Sequence, residues 1–205
     1  MDFASSQVYG NYKILSKLGQ GSYSHVYLAE LLNTNLRYAL KVQKQKKNKE
    51  KMKRSNQIFE NEIAFYNRIK HHPFLIKYIE SFECHGTSKW YSPFCIVFEY
   101  KEGCDAHKKM TNPEEEIPEQ LGLTWFTQAA LGLAHVHSNG CMHRDIKPAN
   151  IIIAGGSIGG IARLCDFGST KEDNQGAENT INAGTQRYFP PEKLFTKGDL
   201  PFLKS

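Results

Sequence analysis

The stretch HRDIKPAN, residues 143–150, places a carboxylate between two cations and an amide five positions beyond it. Asp145 is a carboxylate that can orient a hydroxyl, and Lys147 stands beside it as charge compensation for a transferring phosphoryl group. Further on, Asp166 follows a strand-like run in LCDFG, where Gly168 gives the chain freedom to turn. Asp166 and the Asn150 amide offer hard oxygen ligands, which suit Mg2+ carrying a polyphosphate.

Two earlier stretches supply what a phosphate site needs around it. GQGSYSHV (19–26) lies between two strand patterns, and Gly-rich turns of this kind let backbone N–H groups close over phosphates because no Cβ obstructs them. In YALKV (38–42), period-2 alternation puts Ala39 and Lys41 on one face and Tyr38, Leu40 and Val42 on the other. An inward lysine needs a partner, and the next helix offers Glu60 and Glu62. At about 100° per residue, Glu62 falls at the centre of the stripe Ile58, Phe59, Tyr66 and Ile69, while Glu60 points nearly opposite. A carboxylate on an apolar face is costly unless paired, so the spacing predicts a Lys41–Glu62 pair.

The positioning elements are legible in outline. YKILSKL, HVYLAE and RYALKV read as strands, as do LIKYIESF and FCIVFEY. One helix is expected at roughly 56–70. After EGCDA the character changes: Pro118 and Glu119 suit a helix start, and Leu121, Trp125, Ala129 and Leu133 recur at i+4, predicting a helix over 119–138 that ends at Asn139-Gly140. III (151–153) and ARLC (162–165) flank the Gly-rich AGGSIGG as a hairpin, and 170–187 is polar.

The 205 residues suffice for one large domain or two small lobes sharing a cleft. No apolar run approaches a membrane span, and the first residues lack the blocks of a secretory signal, so a cytoplasmic or nuclear setting is expected. Five scattered cysteines without a CxxC pair argue for reduced thiols. The net charge of +5 is concentrated in residues 41–54, where eight Lys or Arg face Glu50. That segment has a balance of +7, which leaves −2 for the rest. Without interleaved aromatics it reads as a solvated linker into a helix, and a nucleic-acid partner is not expected.

Each short motif alone is as readily a chance turn; their order is specific. Gly-rich hairpin, AxK strand, helix Glu, HRDxKxxN, DFG and GTQRYFPPE (184–192) together resemble the eukaryotic protein kinase family from about residue 12 onward. The resemblance implies an α+β bilobal fold: an N-terminal extension (1–11), a β-rich lobe (12–100), then hinge and an incomplete helical lobe (101–205) that ends after the PPE motif. It implies ATP and Mg2+ as cofactors and a protein Ser or Thr hydroxyl as acceptor, with Lys147 and Thr185 resembling the Ser/Thr type. Lys41 would hold the α- and β-phosphates and Glu62 would hold Lys41. Asp145 would be the catalytic base, Lys147 the γ-phosphate contact, and Asn150 and Asp166 the metal ligands. Leu18, Gly19 and Gly21 would cover the nucleotide, and Val26, Ala39 and Ile152 would sandwich adenine. The Glu99 carbonyl and the Lys101 backbone would read its edge, with Phe98 behind and Asp105 at the ribose. The WFTQ…HVH helix resembles NIMA-related kinases and LCDFGS Numb-associated ones.

The chain departs from the family pattern where Ser24 replaces a third loop glycine, where AGGSIGG lengthens the Asn150–Asp166 interval, and where Pro190 replaces the usual Ala. The chain ending at Ser205 is expected to lack a bracing helix, which would expose the apolar faces of Trp125, Leu133 and neighbouring helix residues. A kinase-like ATP-binding or interaction module with little turnover is the alternative. Segment 170–183 is expected to be a phosphorylation-regulated loop with Thr180 as acceptor and Arg144 as partner of the phosphate. Cys165 is expected to border the cleft.

Overall fold

The alternating runs of the first hundred residues become a six-stranded antiparallel sheet in the computed structural model, which describes residues 7–84, 93–155, 159–172 and 184–189. Its strands are β1 (Val8–Tyr9), β2 (Tyr12–Gln20), β3 (Ser24–Leu31), β4 (Arg37–Gln43), β5 (Tyr78–Glu83) and β6 (Phe94–Glu99), in the spatial order β1-β2-β3-β4-β6-β5. Alternation along β6 shows how it is used. Cys95 and Val97 join Tyr12, Ile14, Leu40 and Val42 on one face. Ile96 and Phe98 join Phe59, Phe65 and Tyr66 on the other.

The second face is covered by α1 (Lys49–Arg68). This helix starts seven residues earlier than the expected 56. Asn48 caps it by accepting from the Lys51 amide at 3.0 Å, and the Lys and Arg that read as linker are strong helix formers. Only 44–48 remain a connector. The expected strand over 75–82 is also shortened. Leu164 N–H donates to Phe74 O at 2.9 Å, and Ile76 N–H donates to Leu164 O at 2.9 Å. Residues 74–76 therefore tie the first sheet to the strand that carries Leu164.

Past Glu99 the chain enters a second sheet, β10-β9-β7, built from β7 (Gly103–Asp105), β9 (Ile151–Ala154) and β10 (Ile161–Leu164). β9 and β10 pair antiparallel from Ala154↔Ile161, the expected hairpin, with 156–158 outside the described residues. A helix too short for periodicity to reveal, α2 (Ala106–Thr111), follows β7 and is capped by Asp105. α3 (Glu119–Ser138) has the expected bounds, and Gly140 after it takes φ +66°. Short β8 (Cys141–Met142) and β11 (Lys171–Glu172) pair beyond it, the latter an ordered piece of the expected polar loop.

The face that α3 buries corrects one expectation. Trp125 is only 8% exposed, packing with Ala106, Ile153 and Ala162, and its Nε1 donates to Gly159 O at 2.6 Å. Leu133 packs against the core. The apolar side chains left open are Leu123, Phe126 and Leu131, with Phe126 at 73%. The i+4 stripe was sound; what covers it is the β9–β10 hairpin and residues 74–75. No helix among the described residues is long and apolar enough to cross a membrane. Thr180, Pro190, Pro191, Glu192 and Ser205 lie outside the described residues.

Candidate active site

Cross-strand registry lines up the first half of the site. Gly19 pairs with Val26, Val26 with Lys41, and Lys41 with Ile96, so one row crosses four strands. Ala39 and Phe98 form the next pair on the same face. Neither Gly19 nor Gly21 adopts a left-handed backbone. A Cβ at Gly19 would meet nothing within 4 Å, and one at Gly21 only Ser24 Oγ at 3.6 Å. The protein's own packing does not require glycine there, which fits a surface kept bare for a ligand.

Lys41 Nζ lies 2.6 Å from Glu62 Oε2 and 2.8 Å from Asp166 Oδ1. Glu62 is 0% exposed and Glu60 is exposed, as the helical geometry required. Burial alone depresses the Lys41 ammonium, but the Asp166 and Glu62 carboxylates outweigh it and hold its pKa above the usual range. Lys41 in turn is the main cause that holds Asp166 below the ordinary carboxylate range, against its burial. Burial pushes Glu62 up, and Lys41 offsets this only in part. Asp166 sits deep among protein atoms, yet 46% of its side-chain surface is open. That open side is the one a ligand can reach. Gly168 makes the arrangement possible: a Cβ there would lie 2.7 Å from Ile58 Cγ2 and 3.4 Å from Glu62 Oε2, so α1 approaches this closely only over glycine.

The second half is a network around Asp145. Lys147 Nζ donates to Asp145 Oδ2 and to Thr185 Oγ1, both at 2.7 Å. Thr185 Oγ1 donates to Asp145 Oδ1 at 2.8 Å, and Asn150 Nδ2 to Asp145 O at 2.8 Å and Oδ2 at 3.1 Å. Burial acts to raise the Asp145 pKa, but the Lys147 and Thr185 bonds prevail and lower it. Asp145 is held ionised. Arg144 and Asp166 both take φ near +65°, a strained conformation for L-residues that marks functional positions. Arg144 Nε donates to Ser169 O at 2.6 Å.

His143 joins the two halves. Asp145 N–H donates to its Nδ1 at 3.3 Å, which leaves Nε2 to carry the proton and donate to Cys165 O at 3.1 Å. Burial lowers its pKa, consistent with that neutral tautomer. Its ring lies 4.7 Å from Phe167, which stacks on Phe65 at 4.2 Å. Cys165 N–H donates to Asn150 O at 3.0 Å, holding the Asn150 and Asp166 segments together. Burial raises the Cys165 thiol well above its usual pKa, so it is a poor nucleophile beside the site.

Among the described residues no cluster of three or more His, Cys, Asp and Glu forms a metal cage. Asn150, whose Nδ2 is committed to Asp145, and the half-open Asp166 offer two oxygen-bearing side chains. That donor set fits a Mg2+ completing its shell with phosphate oxygens and water. Of the residues expected at an adenine, Ile152 pairs with Asp105, Glu99 N–H donates to Lys77 O at 2.9 Å, and Lys101 belongs to neither sheet. Asp105 Oδ1 accepts from the Lys108 amide as the α2 cap, and its Oδ2 pairs with Lys108 Nζ at 3.4 Å. Sequence reasoning missed that cap and the Thr185–Asp145–Lys147 triangle. The GT step carried the signal for the triangle, but nothing local says that Thr185 returns to Asp145 across 40 residues.

A protein kinase domain model matches residues 12–200. The chain is 31% identical over 184 residues to the mouse serine/threonine-protein kinase Nek3, covering 89% of this chain and 33% of that protein. It is also 31% identical over 184 residues to mouse serine/threonine-protein kinase Nek5, covering 89% and 27% respectively. To the serine/threonine-protein kinase Nek6 of Oryza sativa subsp. japonica it is 29% identical over 192 residues, covering 93% and 33%. The chain thus spans no more than a third of the length of these curated relatives. With the match extending over nearly the whole chain, and with Lys41 bonded to both Glu62 and Asp166, the chain belongs to the protein kinase family and resembles Ser/Thr kinases of the NIMA-related kind.

Proposed function

We propose that this chain transfers the γ-phosphate of ATP to Ser or Thr hydroxyls of a protein substrate. The observation that carries the reading is the position of Lys41, an obligate cation bonded at once to buried Glu62 and half-open Asp166. Lys41 binds the α- and β-phosphates, and Glu62 fixes its direction. Asn150 and Asp166 hold Mg2+, which supplies charge neutralisation on the phosphate oxygens. Leu18, Gly19 and Gly21 cover the phosphates. Val26, Ala39 and Ile152 enclose adenine against Phe98, with the Glu99 carbonyl and Lys101 backbone at its edge.

Asp145, held ionised, accepts the hydrogen bond of the substrate hydroxyl and aligns its oxygen for in-line attack. Lys147, now shared between Asp145 and Thr185, turns its charge to the γ-phosphate as negative charge develops there. Asp105 takes the ribose with Oδ2, which in the free chain pairs with Lys108 Nζ at 3.4 Å, while Oδ1 stays as the α2 cap. The Ser/Thr preference rests on Lys147 and Thr185 and on the named activity of the relatives.

Calorimetry tests the cleft directly. Mg2+ should tighten ATP binding by about tenfold or more, and Asp166→Ala should lose that tightening. Mg2+-dependent binding that survives Asp166→Ala unchanged contradicts the reading.

A further inference from the structure

The basic segment 41–54 is not explained by the site so far, and most of its cations lie outside it. Three successive carbonyls at the tip of the Gly-rich loop are all occupied by that segment. Lys44 Nζ donates to Gly21 O at 2.7 Å, Lys46 Nζ donates to Ser22 O at 2.6 Å, and Lys44 N–H donates to Tyr23 O at 2.8 Å. The Tyr23 ring carries two of the same cations: Lys46 Nζ is 5.2 Å from its centroid and the Arg54 guanidinium 6.0 Å. Gly21 N–H closes the turn on Ser24 O at 2.9 Å. No hydrogen bond within the described residues takes the N–H of Ser22 or Tyr23.

We propose that Lys44, Lys46 and Arg54 are positioning residues that clamp the tip of the Gly-rich loop in the orientation a polyphosphate requires. A loop carbonyl turned toward a phosphate repels it, whereas a backbone N–H attracts it. Cations bonded to the carbonyls of Gly21 and Ser22 oppose such a flip and leave the N–H groups of Ser22 and Tyr23 for the ligand. The clamp also compensates for the glycines. A loop bare enough at Gly19 and Gly21 to admit a nucleotide has little packing of its own to hold its shape. The seven cations of 44–54 have no carboxylate partner among the described residues, so the segment's charge is available to the loop.

The inference rests on the nucleotide reading, so its test has a nucleotide-free arm. Hydrogen exchange of the bonded amides at the tip, Gly21 N–H on Ser24 O and the residue 44 N–H on Tyr23 O, should accelerate about tenfold without ATP in Lys44→Gln/Lys46→Gln, because local opening sets the exchange rate. In peptide phosphorylation the same variant should raise KM for Mg-ATP about fivefold while kcat changes less than about twofold, as expected for lost ground-state positioning. Lys46→Arg, which keeps a donor and a cation over Tyr23, should restore most of the KM. Unchanged exchange in the double variant overturns the clamp whatever the chain does with ATP. Faster exchange with unchanged KM overturns its positioning role. If the unaltered chain does not bind Mg-ATP at all, the kinase reading fails and the positioning role falls with it, while the exchange arm still reports the tether.

Discussion

Thr185 Oγ1 donates to Asp145 Oδ1 over 2.8 Å, so a residue 40 positions away fixes the proposed base. Thr185 also receives Lys147 Nζ, so the hydroxyl bridges a carboxylate and an ammonium that already touch at 2.7 Å. Thr185→Val keeps the shape and removes both bonds, leaving Lys147 held by Asp145 alone. The Thr185 bond is among the causes that lower the Asp145 pKa, so its loss moves that pKa upward. The acid limb of kcat should therefore shift to higher pH, and kcat should fall about tenfold or more. Thr185→Ser should recover both. A pH profile of Thr185→Val that overlays the unaltered one means Thr185 does not act on Asp145.

The Lys41–Glu62 pair ties activity to stability. Lys41→Met leaves Glu62 fully buried with no cation, and breaking a buried pair in this way costs about 3–5 kcal/mol. The cost is pH-dependent with a definite sign. Burial already raises the Glu62 pKa in the folded state, and losing Lys41 raises it further. A group whose folded pKa lies above its unfolded value stabilises the fold at low pH and loses that contribution as pH rises through the folded pKa. The Tm deficit of Lys41→Met should thus be small near about pH 5 and large near about pH 8. Thermal melts across that range decide the matter, and a pH-independent deficit contradicts the buried-charge account.

Neighbouring aromatics on α3 should behave oppositely. Trp125→Ala removes a ring packed on Ile153 and Ala162 and a donor to Gly159 O, at a cost of about 3–5 kcal/mol. Phe126→Ala touches a side chain that is 73% exposed and should change stability by less than about 0.5 kcal/mol. Denaturant midpoints separate the two. Equal losses would mean that α3 is rotated relative to this description.

What was legible followed from local periodicity. Alternation in YALKV set the faces of Lys41 and Leu40, and helical phase chose Glu62 over Glu60, because both depend only on nearby residues. The start of α1 was misplaced because lysines satisfy a solvated linker and a helix surface equally, so only the Asn48 cap decides. The exposed side of α3 was misjudged because its apolar residues run round much of the helix. Which side is covered depends on a hairpin 30 residues away. Thr185 on Asp145 and Lys44 on the Gly-rich loop are likewise contacts between distant segments, on which no periodicity bears.

The central claim is that Lys41, Asp145 and Asp166 form one phosphoryl-transfer centre. The most direct measurement is transfer of labelled γ-phosphate from ATP to a mixed Ser/Thr peptide library, with and without Mg2+, by the unaltered chain and by Asp145→Asn. The account predicts Mg2+-dependent phosphoserine and phosphothreonine, reduced by about a hundredfold or more in Asp145→Asn. Transfer that persists in Asp145→Asn, or ATP binding by the unaltered chain without any transfer to peptide, would contradict it.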